Sequence, residues 1–108
     1  PIIAEANSMG EPLIEQLSRE GLPVTPFTTT NATKCLGIDA LALAFEQGAL
    51  RILPDPVLIG ELQAYEGKRT QSGAMVYGAP AGLHDDTVMA LMLAWHGAAG
   101  ATGEVVFL

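Results

Sequence analysis

Aromatic and basic residues are scarce in this 108-residue sequence. Aromatic residues make up 6% of the chain, so a hydrophobic core must be built from aliphatic side chains and methionine. Five residues are basic and twelve are acidic, which gives a net charge of −7. This is the wrong sign for a protein that binds nucleic acid by itself, because such affinity comes mostly from neutralising phosphates. A nuclease remains open, since metal-binding carboxylates are themselves acidic.

Cysteines and long apolar segments are also scarce. With one cysteine, Cys35, the sequence has no internal disulfide, which fits a reducing compartment. We interpret Cys35 as a small buried apolar residue inside a helix. The N-terminus lacks the basic flank of a signal peptide. The longest apolar stretch, residues 88–101, is interrupted by His96 and is too short to span a bilayer, so no membrane partner is expected.

The apolar and charged fractions, 49% and 16%, predict one globular domain over residues 1–108. Strand-like segments alternate with helical ones, which predicts an α/β fold. The sequence opens directly in a strand without an initiator methionine, so we expect part of a longer protein. The predicted strands or extended segments cover residues 2–6, 22–27, 50–54, 74–77 and 105–108. The predicted helices start near Pro12, cover residues 32–47, start at Pro56, and run from the Asp85-Asp86 pair to Trp95.

Two details of this prediction concern exposure. The second helix should turn five apolar residues towards its buried side: Leu36, Leu41, Leu43, Ala44 and Phe45. The polar segment of residues 67–73, which carries Lys68 and Arg69, is predicted to be a flexible loop. The segment of residues 97–103 is rich in Gly and Ala and predicts no defined element.

Two adjacent carboxylates, Asp85 and Asp86, stand where the last helix should begin. One aspartate is enough to cap a helix, whereas a second one concentrates negative charge that a divalent cation would relieve. Glu5 ends the first strand, and ligands of α/β sheets bind beyond the carboxyl ends of strands. These acids predict an Mg²⁺ or Mn²⁺ site built from distant segments. The sequence does not decide which of Asp85 and Asp86 is the ligand.

A structural interpretation exists for each of these residues. The aspartates are also a favourable first-turn pair near the positive end of the helix dipole, and Glu5 is also a strand residue reaching water. His84 fits a surface or supporting hydrogen-bonding role better than a ligand role. Thr30 or Asn31 is predicted to cap the second helix, with Lys34 either solvated or in contact with a phosphate.

Five short motifs follow one another in a fixed order along the chain. They are residues 5–10 (EANSMG), 28–34 (TTTNATK), 50–54 (LRILP), 61–62 (EL) and 77–88 (YGAPAGLHDDTV). This ordered set resembles the nuclease domain of the large terminase subunit of tailed bacteriophages, and the resemblance covers residues 2–95. It implies an RNase H-like fold with a mixed sheet flanked by helices, lacking the first strands.

This resemblance implies a metal-dependent endonuclease that cuts double-stranded viral DNA during genome packaging. Of three acidic positions in the family, the second corresponds to Glu5 and the third to Asp85 or Asp86. The first, an aspartate on the first strand, has no counterpart here, so we expect the chain alone to be catalytically incomplete. Glu5, Asp85 and Asp86 would hold two ions, with Asn7 and His84 as supporting neighbours, and Lys34, Lys68 and Arg69 would contact DNA phosphates.

The implied partners are DNA, the terminase ATPase domain, the small terminase subunit and the portal. The implied location is the cytoplasm of the infected bacterial host. Self-association through the edge left by the missing strand is a further expectation. Two alternatives stay open: another RNase H-like nuclease, such as a Holliday-junction resolvase, and a non-catalytic or partner-completed assembly module.

Overall fold

The first half of the chain alternates strands and helices, as the sequence predicts. The computed structural model describes residues 2–7 and 10–99, together with the backbone of residues 105–106. Strands β1 and β2 pair in parallel, and Glu5 at the end of β1 lies opposite Phe27 at the end of β2. The elements are β1 (Ile2–Glu5), α1 (Gly10–Arg19), β2 (Val24–Phe27) and α2 (Asn31–Glu46).

Local residue chemistry sets the ends of these helices. Gly21 has a φ of +84°, which a glycine adopts without strain, and it lies just beyond the end of α1. Thr30 caps α2 in a reciprocal capping box with Thr33, which resolves the choice between Thr30 and Asn31. Gly48, with a φ of +67°, follows the end of α2. These signals are local, and the sequence predicted them.

The second half adds two further pairs of strands around two helices. β3 pairs in parallel with β6, and β4 pairs with β5 as an antiparallel hairpin. Among the described residues, the strands therefore form three two-stranded sheets and not one continuous sheet. The elements are β3 (Leu50–Arg51), α3 (Pro56–Ala64), β4 (Glu66–Arg69), β5 (Met75–Gly78), α4 (Asp86–Ala99) and β6 (Val105–Val106).

The core lies mainly between α2 and α4. Its most enclosed side chains are Val88 and Met92 of α4, each 1% exposed. Leu41 and Ala44 are buried as predicted, but the prediction was wrong for Leu36, Leu43 and Phe45, which are exposed. Apolar residues surround α2 on all sides, so its sequence does not identify the face that packs. The buried core residues are Ile38, Leu41, Ala44, Leu50, Val88, Leu91 and Met92.

The predicted loop of residues 67–73 is wrong over its first half. Lys68 and Arg69 belong to β4, because the backbone of this polar segment pairs with β5. Both faces of β4 are largely exposed, so the alternation of apolar and polar residues that marks a half-buried strand is absent. Residues 8, 9, 100–104, 107 and 108, which belong to predicted loops, tail and strand, lie outside the described residues. Within the described part, no helix is long and apolar enough to cross a membrane.

A close approach between α4 and β1 depends on Gly97. A Cβ atom added at Gly97 would lie 2.5 Å from Cγ1 and 3.1 Å from Cδ1 of Ile3. Ile3 is β-branched, and its χ1 is restricted, so it has little freedom to move aside. The absence of a side chain at position 97 therefore sets how closely the last helix packs on the first strand.

Gly97→Ala is expected to destabilise the protein by about 1–3 kcal/mol, because the added methyl group overpacks the contact with Ile3. The matched control is Gly60→Ala in α3, where an added Cβ meets no atom within 4 Å. There alanine should stabilise the helix by about 0.5–1 kcal/mol. Urea unfolding of both variants measures the difference. An equal gain in stability for both would show that α4 and β1 do not pack this closely.

Candidate metal centre

Glu5 is held in a small polar network at the carboxyl end of β1. The hydroxyl of Thr29 donates to Oε2 of Glu5 at 2.8 Å. The side chain of Asn7 forms two hydrogen bonds with the backbone of Thr29: its Oδ1 accepts from the Thr29 N–H at 2.7 Å, and its Nδ2 donates to the Thr29 carbonyl at 2.8 Å. Asn7 therefore fixes the segment from which Thr29 reaches the carboxylate.

Gly10 allows the chain to turn tightly after Glu5. A Cβ atom added at Gly10 would overlap the carbonyl oxygen of Glu5. The Gly10 N–H also donates to the carbonyl of Asn7 at 3.2 Å. Glycine is thus needed here for a close approach between the start of α1 and the end of β1.

Asp85, which precedes the first residue of α4, is paired with Lys34 of α2. Lys34 Nζ lies 3.5 Å from Asp85 Oδ2, and both side chains are mostly shielded, with 21% and 27% exposure. The ammonium group of Lys34 also lies 5.9 Å from the ring centroid of Tyr65, within the range of a cation–π contact. Lys34 therefore serves as the counter-charge of Asp85 in this structure.

The first turn of α4 is capped from α3. Glu61 Oε1 accepts from the backbone N–H of Thr87 at 2.9 Å and from its hydroxyl at 2.6 Å. The Thr87 hydroxyl lowers the pKa of the Glu61 carboxyl below its ordinary value by stabilising the charged form. The sequence points to Asp85 or Asp86 as the cap, but Glu61 fulfils this role for the amide of Thr87. Nothing in the local sequence assigns Glu61 this role.

The start of α2 connects the two acidic segments. Thr29, just before the cap, contacts Glu5, and Lys34, at the end of the first turn, contacts Asp85. Thr30 and Lys34 are separated along the helix axis by about 6 Å, at 1.5 Å per residue. The end of β1 and the start of α4 thus contact one short segment, residues 29–34, at the start of α2.

The other predicted site residues are more exposed. Asp86 is the first residue of α4, and His84 lies two residues before it on the surface. Lys68 forms an ion pair with Glu66 at 3.0 Å, and Arg69 donates to the carbonyl of Gly73 at 3.0 Å. Both basic residues therefore belong to the β4–β5 hairpin. Across the described residues, no three His, Cys, Asp or Glu side chains are grouped closely enough to hold a metal ion.

The hairpin is attached to α2 beside the Lys34–Asp85 pair. The side chains of Asn31 and Cys35 both donate to the carbonyl of Met75, at 3.1 and 3.2 Å. The hydroxyl of Tyr77 donates to Asp39 Oδ1 at 2.7 Å. Cys35 is thus half-buried, and its thiol donates a hydrogen bond to the hairpin backbone, which the interpretation as a small buried apolar residue did not include.

Two stacked tyrosines have raised pKa values in this region. Their rings are 6.3 Å apart and nearly parallel. Burial, with a smaller effect of the Asp85 charge, raises the pKa of Tyr65 to about 12. The hydrogen bond to Asp39 raises the pKa of Tyr77. The hydroxyl of Tyr65 is buried and has no hydrogen-bond partner among the described residues. Ionising either tyrosine would therefore place a second negative charge beside a carboxylate.

Tyr65 is expected to ionise near pH 12, later than a free tyrosine at pH 10.0. Because its folded-state pKa is raised, the associated stabilisation is complete below pH 10 and disappears as the pH rises towards 12. Tyrosinate absorbance, followed against pH with a chelator present, should show a late step that Tyr65→Phe removes. Tyr77→Phe is the control and should leave that step in place. Loss of the late step in Tyr77→Phe alone would show that the assignment to Tyr65 is wrong.

Comparison with curated proteins identifies a similar phage protein, whereas no family model matches the sequence. The chain is 33% identical over 95 residues to the terminase large subunit of Thermus phage G20c. This match takes in 87% of the chain and 20% of the relative, so the chain spans about a fifth of the length of the curated relative.

Solved structures of the large terminase nuclease from thermophilic phage G20c have a similar fold. The structure with bound cobalt gives a TM-score of 0.77 at 33% identity, covering 87% of this chain and 50% of that one. The structure with bound magnesium gives 0.73 at 33% identity, covering 82% and 48%. The chain thus spans about half of these nuclease domains. Sequence and fold together therefore match the chain to about half of the nuclease domain of the phage terminase large subunit, and they confirm the expected RNase H-like α/β fold.

Proposed function

We propose that this chain is part of a metal-dependent endonuclease that cleaves double-stranded viral DNA during genome packaging. One observation carries the proposal: Glu5 contacts Thr29, just before the cap of α2, and Asp85 contacts Lys34 in the first turn of α2, in a chain whose solved relatives are nucleases with bound magnesium or cobalt. Carboxylates at a strand end and a helix start are the donors that metal-assisted phosphodiester hydrolysis requires.

The donor set fits a hard divalent cation. Glu5, Asp85 and Asp86 offer carboxylate oxygens, which Mg²⁺ and Mn²⁺ prefer over nitrogen and sulfur. We propose that these residues hold the metal, with Asp85, already paired with Lys34, as the principal ligand of the aspartate pair. Asp86 is more exposed than Asp85, and in this proposal it completes the coordination or binds a second ion.

The proposed ligand set extends beyond the described residues. Within them no three acids are grouped to hold an ion, and the chain spans about half of the matching nuclease domains. We therefore propose that residues 1–108 belong to one nuclease domain and that its remaining part contributes a further carboxylate. This proposal also accounts for the exposed apolar side chains of α2, such as Leu36, which the rest of the domain would cover.

In this proposal, neighbouring residues of the chain orient the two carboxylates that bind the metal. Asn7 and Thr29 fix the direction of the Glu5 carboxylate, and Lys34 holds Asp85 while balancing its charge. When bound, the metal ions would supply an activated water molecule and stabilise the charge that develops on the leaving oxygen. Lys34 would then lie beside the reacting phosphate, where its ammonium group favours the approach of the anionic backbone.

DNA contact in this proposal depends on the hairpin. Apart from the reacting phosphate, Lys34 is too shielded to meet the DNA backbone, so the exposed side chain of Lys68, together with Arg69, is better placed to contact the other phosphates. With a net charge of −7 such contacts are few. We further propose that the ATPase domain, the small subunit and the portal act with this domain in the host cytoplasm and supply most of the DNA affinity.

Removing a proposed ligand should abolish cleavage without unfolding the protein. Glu5→Gln and Asp85→Asn in the full-length protein are each expected to lower Mn²⁺-dependent cleavage of linear DNA by more than about 100-fold, beyond the usual effect of residues that only support a ligand. Glu15→Gln on the exposed face of α1 is the matched carboxylate control and should retain activity. Undiminished cleavage in both ligand variants would overturn the site. A wild-type protein that neither binds metal nor cleaves DNA would favour the assembly-module alternative.

The hairpin contact predicts a change in salt dependence. Lys68→Ala should weaken DNA binding uniformly across sequences and reduce the slope of log K against log salt by about 1, as expected for one lost phosphate contact. Arg19→Ala, at the end of α1, is the control for loss of one positive charge. Filter binding over a range of salt concentrations measures both slopes. Equal changes in the two variants would indicate a general charge effect and not a contact.

A further inference from the structure

We propose that Glu61 is a positioning residue that sets the direction of Asp85 and Asp86 by capping α4 from the neighbouring helix α3. This inference rests on the proposed function, because it concerns the same acids. It goes further, since it assigns a role to a carboxylate that the metal hypothesis does not use and to which the motif of residues 61–62 gives no role. Glu61 would act through Thr87, without touching metal or DNA.

The geometry supports a cap supplied by another helix. A single oxygen of Glu61 accepts two hydrogen bonds from Thr87, one from its backbone and one from its hydroxyl. The two bonds restrain both the backbone and the side-chain rotamer of the residue next to Asp86. Thr87 is the second residue of α4, so its N–H is one of the donors at a helix start that lack a partner within the helix.

The capping arrangement leaves the carboxylates of the two aspartates unbound to the Thr87 amide. When an aspartate caps its own helix, its carboxylate turns back towards the amides of the first turn and is used there. Here Glu61 satisfies the Thr87 amide, and Asp85 reaches Lys34 on α2 instead. The carbonyl of Asp85 still accepts the first bond of the helix, from Met89 at 2.9 Å. Asp85 is thus anchored through its backbone while its side chain pairs with Lys34.

Packing around Glu61 explains why the contact is held in place. Leu58 and Leu62 of α3, on either side of Glu61, pack against the core. Asp55 and Pro56 start α3, and the carboxylate of Asp55 accepts from the N–H groups of Val57 and Leu58. The position of Glu61 is therefore set by a helix that has its own cap. Through its hydrogen bonds to Thr87, Glu61 in turn restrains the start of α4.

The test compares Glu61 variants in the full-length protein. Glu61→Ala removes both hydrogen bonds. Glu61→Gln keeps an oxygen that can accept both, and should therefore restore most of the function. Thr87→Val removes only the hydroxyl bond, whereas Thr87→Ser retains it. Asp55→Ala is the matched control, since it removes a helix cap of the same kind without contact to Thr87.

Two readouts separate positioning from general stability. The first is the Mn²⁺ concentration that gives half-saturation of binding, measured by electron paramagnetic resonance without DNA. It should rise on the order of tenfold in Glu61→Ala, as is typical for residues that orient a ligand. It should change little in Glu61→Gln, Thr87→Ser and Asp55→Ala, and Thr87→Val should lie between the extremes. The second is hydrogen exchange of the Thr87 amide, which should accelerate in Glu61→Ala and not in Glu61→Gln.

Each outcome has one meaning. Weakened metal binding in Glu61→Ala with recovery in Glu61→Gln supports positioning through an acceptor oxygen. Equal weakening in Glu61→Ala and Asp55→Ala, or no recovery in Glu61→Gln, overturns it. If Glu61→Ala does not fold, the comparison of Thr87→Val with Thr87→Ser decides in the same way. If the wild-type protein binds no metal, the proposed function fails, whereas the exchange of the Thr87 amide still shows whether Glu61 caps α4.

Discussion

The first turn of α2 is the constraint on which the candidate site depends. Thr29, which precedes the cap of this helix, donates a hydrogen bond to Glu5. Lys34, the last residue of the turn, forms an ion pair with Asp85. The two acids are 80 positions apart in the sequence; Glu5 contacts the residue before the cap, and Asp85 contacts the last residue of the turn. The capping box of Thr30 and Thr33 fixes the conformation of the turn itself. A helix start that is well determined locally can therefore organise contacts that are remote in the chain.

The charges at the start of α4 sum to a negative value even though Lys34 is present. Three carboxylates, from Glu61, Asp85 and Asp86, lie at or beside this helix end. One ammonium group and the helix dipole, worth about half a positive charge, offset only part of them. The Thr87 hydrogen bonds keep Glu61 ionised, so protonation does not remove the excess charge.

The sequence was most informative where the cause of a structure is local. It predicted the cap at Thr30, the helix end before Gly48, and the order of strands and helices, because each follows from a few adjacent residues. It did not identify the packed face of α2, where Leu36 and Leu43 proved exposed, because apolar residues surround that helix. It also assigned Lys68 and Arg69 to a loop, since only pairing with β5 makes that polar segment a strand. The direct partners of Glu5 and Asp85 could not be predicted, because they depend on tertiary distances.

The role of Glu61 shows why a pair of acids at a helix start is ambiguous in sequence. A capping aspartate and a ligating aspartate have the same local sequence, and they differ only in whether the helix amides have another partner. Here the carboxylate of α3 provides that partner, over a separation of 26 residues. The capping interpretation of Asp85 and Asp86 is therefore weakened by the hydrogen bonds of a third residue, not by any property of the aspartates. In helices of this kind, deciding between structure and function at an acidic pair requires finding the acceptor of the first free amides.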